Sequence, residues 1–71
     1  MSNLEKVISI IARETSRNPF NLGTDTRLDS LGIDSLDFLE LIRMIEGEFN
    51  CTIADEQYAQ LHTIGDLLAV L

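Results

Sequence analysis

The chain has 71 residues, a formal net charge of −7, 45% hydrophobic residues and a single cysteine. A chain this short makes one domain, residues 1–71, and buries too little surface for a deep catalytic pocket, so a carrier, binder or scaffold is expected rather than an enzyme. Residues 1–24 carry Glu5 and Glu14 against Lys6, Arg13 and Arg17, leaving −8 on the remainder, which excludes nucleic acid and anionic membrane as natural partners and favours basic protein surfaces.

Ser2-Asn3-Leu4-Glu5 has the spacing of a capping box and opens the first predicted helix. Leu4, Val7, Ile8 and Ile11 then supply one apolar stripe, until Asn18-Pro19 forbids continuation, so the helix is expected to end near Ser16. From Arg17 to Asp34 the chain is rich in Asn, Gly, Thr, Asp and Ser, with Phe20, Leu22, Leu28, Leu31 and Ile33 spaced as apolar pins. A long, packed loop is predicted, and loops of that length are often functional.

The second helix is predicted from about Ser35 to Phe49. At about 100° per residue, Leu41, Ile45, Phe38, Phe49, Ile42 and Leu39 share one arc, the core face. The opposite arc holds Leu36, Asp37, Glu40, Arg43, Met44, Gly47 and Glu48, where two large apolar side chains stand among carboxylates, an arrangement that fits either ordinary isolated exposure or a docking surface. Asn50 is suited to a left-handed helix end, and Thr52-Ile53 reads as a brief extended connector. A short third helix follows, with Asp55-Glu56 at its start and Tyr58 and Leu61 as its apolar contacts over about seven or eight residues. Thr63 caps a last helix whose Ile64, Leu67, Leu68 and Leu71 repeat the apolar stripe. The fold class is therefore all-α: a small four-helix bundle of three main helices and one short one, with a long loop between the first two.

Leu31-Gly32-Ile33-Asp34-Ser35-Leu36 delivers one serine to the first turn of the acidic second helix. Locally, Asp34 or Ser35 serves as an ordinary cap and Asp37 suits the helix dipole. A serine hydrolase needs a base within reach of the hydroxyl, and the chain offers only His62, without the Gly-x-Ser-x-Gly spacing. A calcium loop fails as well, because a start at Asp25 puts Arg27 at the third position and a start at Asp29 puts Leu31 there. No catalytic residue and no metal site are expected. An exposed serine at a helix N-terminus, where the dipole favours a phosphate, is instead placed to be modified by another protein.

The one cysteine, Cys51, excludes an internal disulfide and a zinc or iron–sulfur cluster, and with no basic leader and no apolar run approaching roughly 20 residues the chain is expected to be a cytoplasmic monomer.

Leu28-Asp29-Ser30-Leu31-Gly32-Ile33-Asp34-Ser35-Leu36-Asp37, with Leu39-Glu40-Leu41, Glu46-Gly47-Glu48-Phe49, Ile53-Ala54-Asp55-Glu56 and Thr63-Ile64-x-Asp66-Leu67, resembles the acyl carrier proteins of fatty acid and polyketide synthesis. The likeness runs essentially end to end. It implies that Ser35, flanked by Asp34 and Leu36, carries 4′-phosphopantetheine donated from coenzyme A by a phosphopantetheinyl transferase. The arm's thiol, rather than Cys51, would bear the acyl group as a thioester. Leu36, Asp37, Glu40, Arg43, Met44 and Glu48 would meet basic patches on acyl-transferring and chain-extending enzymes. Phe38, Leu41, Ile45, Leu61 and Leu68 would line an acyl cleft.

Arg43 stands where many fatty-acid carriers have an exposed apolar residue, Gly47 where acid is expected and Ala54 where proline is frequent, so the resemblance points to a specialised member rather than the housekeeping carrier. Arg43 is expected to pair with Glu40 or Glu46. Two further readings stay open. One is an acidic helical module that regulates a partner without the arm; the other is an aminoacyl or D-alanyl carrier with the same arm and a different cargo.

Overall fold

A computed structural model describes residues 2–71. Helix α1 (Asn3–Thr15) starts at Ser2, whose Oγ accepts the Glu5 N–H at 3.1 Å, and closes at Ser16 in the left-handed conformation. Helix α2 (Ser35–Phe49) runs between the predicted bounds and closes at left-handed Asn50, as the sequence predicts, with Asp34 as its cap. Helix α3 (Ile64–Ala69) follows the Thr63 cap. Val7, Ile10 and Ile11 of α1, Leu41, Ile42 and Ile45 of α2, and Ile64 and Leu67 of α3 meet in one core, joined by Leu28, Leu31, Ile53 and Leu61 from the connections. The fold is all-α, with no strand among the described residues.

Several expected details are corrected. Ile10 is buried and Ile8 only half-buried, so the buried face of α1 is rotated from the expected stripe. The short third helix is a 3-10 helix (Asp55–Gln60) of six residues, and Leu61 lies past its end. That tighter coil eclipses side chains three apart, and it buries none of its own residues. Leu71 lies beyond α3, which ends at Ala69. Leu39 sits on the edge of the apolar arc of α2 and is 38% exposed.

The long connection is built from two 3-10 turns, Pro19–Asn21 and Leu28–Leu31. Leu28 and Leu31 are buried, and Leu22 and Ile33 pack against the core. Phe20 is the exception among the expected pins, at 94% exposure. Asn18 accepts the Phe20 N–H at 2.9 Å, and the turn this closes holds the ring away from the core.

A helix of six residues is too short to be stable alone. The loop stabilises α3 by taking its free N-terminal donors: Ile64 N–H donates to Thr26 O at 3.0 Å and Gly65 N–H to Thr24 O at 2.9 Å. Leu28 N–H donates back to His62 O at 2.9 Å, forming an isolated antiparallel bridge between Arg27 and Thr63. Gly65 is needed there, because a Cβ at that position would stand 3.0 Å from Thr24 O. Thr63 Oγ1 accepts the Asp66 N–H, and the Asp66 carboxylate accepts the N–H groups of His62 and Thr63 at 3.0 and 3.1 Å.

Candidate functional site: the serine at the head of α2

Gly32 adopts a φ of +72°, a conformation other residues seldom hold, and so turns the chain from the Leu28–Leu31 coil towards α2. Asp34 is extended, and its Oδ1 accepts the Asp37 N–H at 2.9 Å. The local ambiguity over which residue caps the helix is thereby resolved: Asp34 caps. Ser35 is the first helical residue, exposed, and its hydroxyl has no hydrogen-bond partner among the described residues. Ser35 thus stands exposed in the positive end of a helix of 15 residues.

Asp34 and Ser35 help to line a groove of about 390 Å³. Its walls are Leu28 and Ile33 from the loop, Phe38 and Leu39 from α2, and Tyr58 from the Asp55–Gln60 helix, with Asp29 at the edge. Phe38 and Tyr58 meet edge to face, with ring centroids 6.1 Å apart and planes at 86°. Burial pushes the Tyr58 phenol up from its ordinary value, and the charges of Asp55 and Glu46 push the same way against Arg43. Tyr58 is therefore a neutral wall at physiological pH. Asp29 receives two hydrogen bonds from Arg27 at 3.0 Å, and this guanidinium holds its carboxyl below the usual range.

Leu36, at 71% exposure, lies on the outer surface of α2 with Asp37, Glu40, Arg43, Met44 and Glu48, all exposed. Arg43 has no ion pair among the described residues, contrary to expectation. The Glu46 carboxylate accepts the Ile53 N–H at 2.6 Å, and that bond orients it towards the connector after α2. Of the residues named for an acyl cleft, Phe38 lines the groove. Leu41, Ile45 and Leu61 are buried in the core, Leu68 packs against it, and none of these four faces the groove.

Leu28, Ile33, Leu39 and Tyr58 are groove residues that sequence reasoning missed. Leu28 and Ile33 were visible as loop pins, but not their common wall with Tyr58, because that pairing is set by packing across the chain. Among the described residues, no three of His, Cys, Asp or Glu converge as a metal site would require, and no helix is long and apolar enough to cross a membrane.

The sequence profile described as the phosphopantetheine attachment site matches residues 5–71. This chain belongs to the acyl carrier protein family. The acyl carrier protein of Streptococcus thermophilus (strain CNRZ 1066) is 39% identical over 69 residues, covering 97% of this chain and 90% of that protein. The acyl carrier protein of Wolinella succinogenes is 29% identical over 69 residues, covering 96% and 91%. The carrier is not itself a catalyst: its cofactor is covalent 4′-phosphopantetheine, and it works with a phosphopantetheinyl transferase and with acyl-processing enzymes. The residues at the head of α2 suit such a group, with a free hydroxyl, a helix dipole that favours a phosphodiester and an adjoining apolar groove.

Proposed function

We propose that Ser35 is the attachment residue, and that residues 1–71 act as one carrier domain for acyl intermediates of fatty acid, polyketide or related lipid biosynthesis. The observation that carries this reading is the division of labour between neighbours. Asp34 supplies the cap, so the Ser35 hydroxyl remains unbonded and exposed at the mouth of the groove. In the transfer, Ser35 Oγ bonds to the pantetheine-bearing phosphorus of coenzyme A, the bond to adenosine 3′,5′-bisphosphate breaks, and the serine proton passes to the transferase.

When bound, the group supplies a thiol that holds the cargo. The chain's own residues do the rest. Leu28, Ile33, Phe38, Leu39 and Tyr58 give an apolar chain a surface to leave water, at about 25 cal/mol per Å² covered. Asp34 and Leu36 flank the attachment point, and Asp37, Glu40 and Glu48 steer the face of α2 to basic partner surfaces. Leu36 and Met44 give those partners apolar contact. Exposed charges contribute little net affinity, which suits a carrier that must be released after each step. Arg43, without an ion pair among the described residues in the middle of this acidic face, supports a specialised set of partners. The single cysteine fits a reducing cytoplasm.

Incubation with coenzyme A and a broad-specificity phosphopantetheinyl transferase is expected to add one phosphopantetheine by intact-mass spectrometry, and Ser35→Ala to add none. No gain by the wild type, or a gain that survives the substitution, would reject the assignment.

A further inference from the structure

The most exposed large apolar side chain among the described residues lies outside the Ser35 region. Phe20 is 94% exposed, and the hydrogen-bonded turn Pro19–Asn21 fixes its backbone, with Asn18 accepting the Phe20 N–H and Pro19 O accepting the Leu22 N–H. Beside it runs a second groove of about 390 Å³, lined by Glu5, Ile8, Ser9, Ala12, Pro19 and Phe20 itself. None of these residues lines the groove at Ser35. Single exposed apolar residues are ordinary, but a projecting ring next to an apolar groove is a knob and a hole on one patch.

We propose that this patch is a self-association surface, on which Phe20 of one copy enters the groove of a second copy across a two-fold axis. A contact of this kind requires a patch that is its own complement, and the patch holds both parts. Charge selects the same occupant. The first 24 residues carry a net +1, whereas the remainder carries −8, so this is where two copies of a chain of −7 repel least. A basic partner would be drawn to the acidic half instead.

The register of α1 adds a third observation. Glu5 and Arg13 lie four residues to either side of Ser9, so antiparallel α1 helices crossing at Ser9 set Glu5 of each copy against Arg13 of the other. Among the described residues Arg13 has only a loose partner, Glu14 at 3.8 Å. Ser9, small and exposed at the crossing, lets the helices approach. The groove has six lining residues, Phe20 among them, against the roughly 20–30 residues a side of a stable interface, so the association is weak and reversible. The monomer expected from the sequence is then the dilute form. This inference does not depend on Ser35 carrying the arm, and it is tested without a transferase.

Sedimentation equilibrium of the purified chain from micromolar to millimolar concentration is expected to show a reversible rise in mass towards two copies. Phe20→Ser should weaken the association by about tenfold or more, with the helical circular dichroism unchanged. Arg13→Glu should weaken it as well, and Arg13→Glu combined with Glu5→Arg should restore it. One-copy mass through the millimolar range, or association that Phe20→Ser leaves untouched, overturns the proposal. One-copy mass together with slower acyl transfer by Phe20→Ser would assign the patch to a different protein. Failure of the charge swap to restore association overturns the antiparallel register.

Discussion

On one flank of α2 the core is sealed twice. Ile42 and Ile45 are fully buried in the core that α2 shares with α1, and the long loop is hydrogen-bonded to the start of α3 through Thr24, Thr26 and Leu28. On the other flank, α2 faces the Asp55–Gln60 helix, which buries no residue of its own and meets α2 through the Phe38–Tyr58 edge contact. The groove at Ser35 opens on that second flank. A small bundle can keep its fold while one side parts, provided the apolar burial and the backbone bonds are concentrated on the other side.

The strongest way to break this contrast is to cut one residue from each flank. Ile42→Ala is expected to cost about 3 kcal/mol, from lost transfer energy and the cavity left behind. That is a large share of the roughly 4–10 kcal/mol such a chain has, so urea unfolding of Ile42→Val, at about 1 kcal/mol, is the companion measurement. Tyr58→Ala is expected to cost about 1 kcal/mol, with faster amide exchange confined to residues 55–61. Equal losses from Ile42→Ala and Tyr58→Ala would show that the groove flank is as structural as the sealed one.

Gly65→Ala sharpens the sealed side. The new Cβ would press on Thr24 O, the acceptor of the residue's own N–H, at a cost of about 1–3 kcal/mol, partly offset by a helix-propensity gain of about 1 kcal/mol. A net loss near 1 kcal/mol is expected, with faster amide exchange at Leu28 and Ile64. No change in exchange there would mean that the loop does not anchor α3. Gly47→Ala has the opposite sign, because its Cβ enters open space on an exposed helix turn. A gain of about 0.5–1 kcal/mol in urea unfolding is expected, and no gain would mean that the last turns of α2 are already frayed.

These differences also mark what the sequence could convey. The ends of α2, the Asn50 closure, the Thr63 cap and the burial of Leu28 and Leu31 follow from local chemistry within a few residues, and all were legible. So was the cap at Ser2, whereas at the head of α2 the sequence left Asp34 and Ser35 as alternatives. Phe20 was misread because spacing among polar residues looks the same for an anchoring side chain and a projecting one. The 3-10 form of Asp55–Gln60 escaped for a related reason, since six residues give too little periodicity to separate one helical coil from the other. Leu41 and Ile45 were legible as core from the apolar arc of α2, whereas the gathering of Leu28, Ile33 and Tyr58 around the groove depends on contacts between elements distant in sequence.

The smallest expected effect concerns the carboxylates that fasten the sealed side. The N–H of His62, then that of Thr63, hold the Asp66 carboxyl below its ordinary range, and the Arg27 guanidinium does the same for Asp29. A carboxyl depressed in the folded chain binds its proton more readily when unfolded. Its stabilisation is therefore complete above the unfolded value of roughly 4 and is lost as the pH falls through the lower folded value. Both groups are solvent-exposed enough for screening to reduce the effect, more so for the Arg27–Asp29 pair at high salt. Acid should thus loosen the join between the loop and α3 before it reaches the core, with amides at His62, Thr63 and Asp66 exchanging first. Asp66→Asn should flatten the stability profile between neutral pH and the acid limb; an unchanged slope would move the acid sensitivity to the other carboxylates and leave the sealed flank held by its backbone bonds alone.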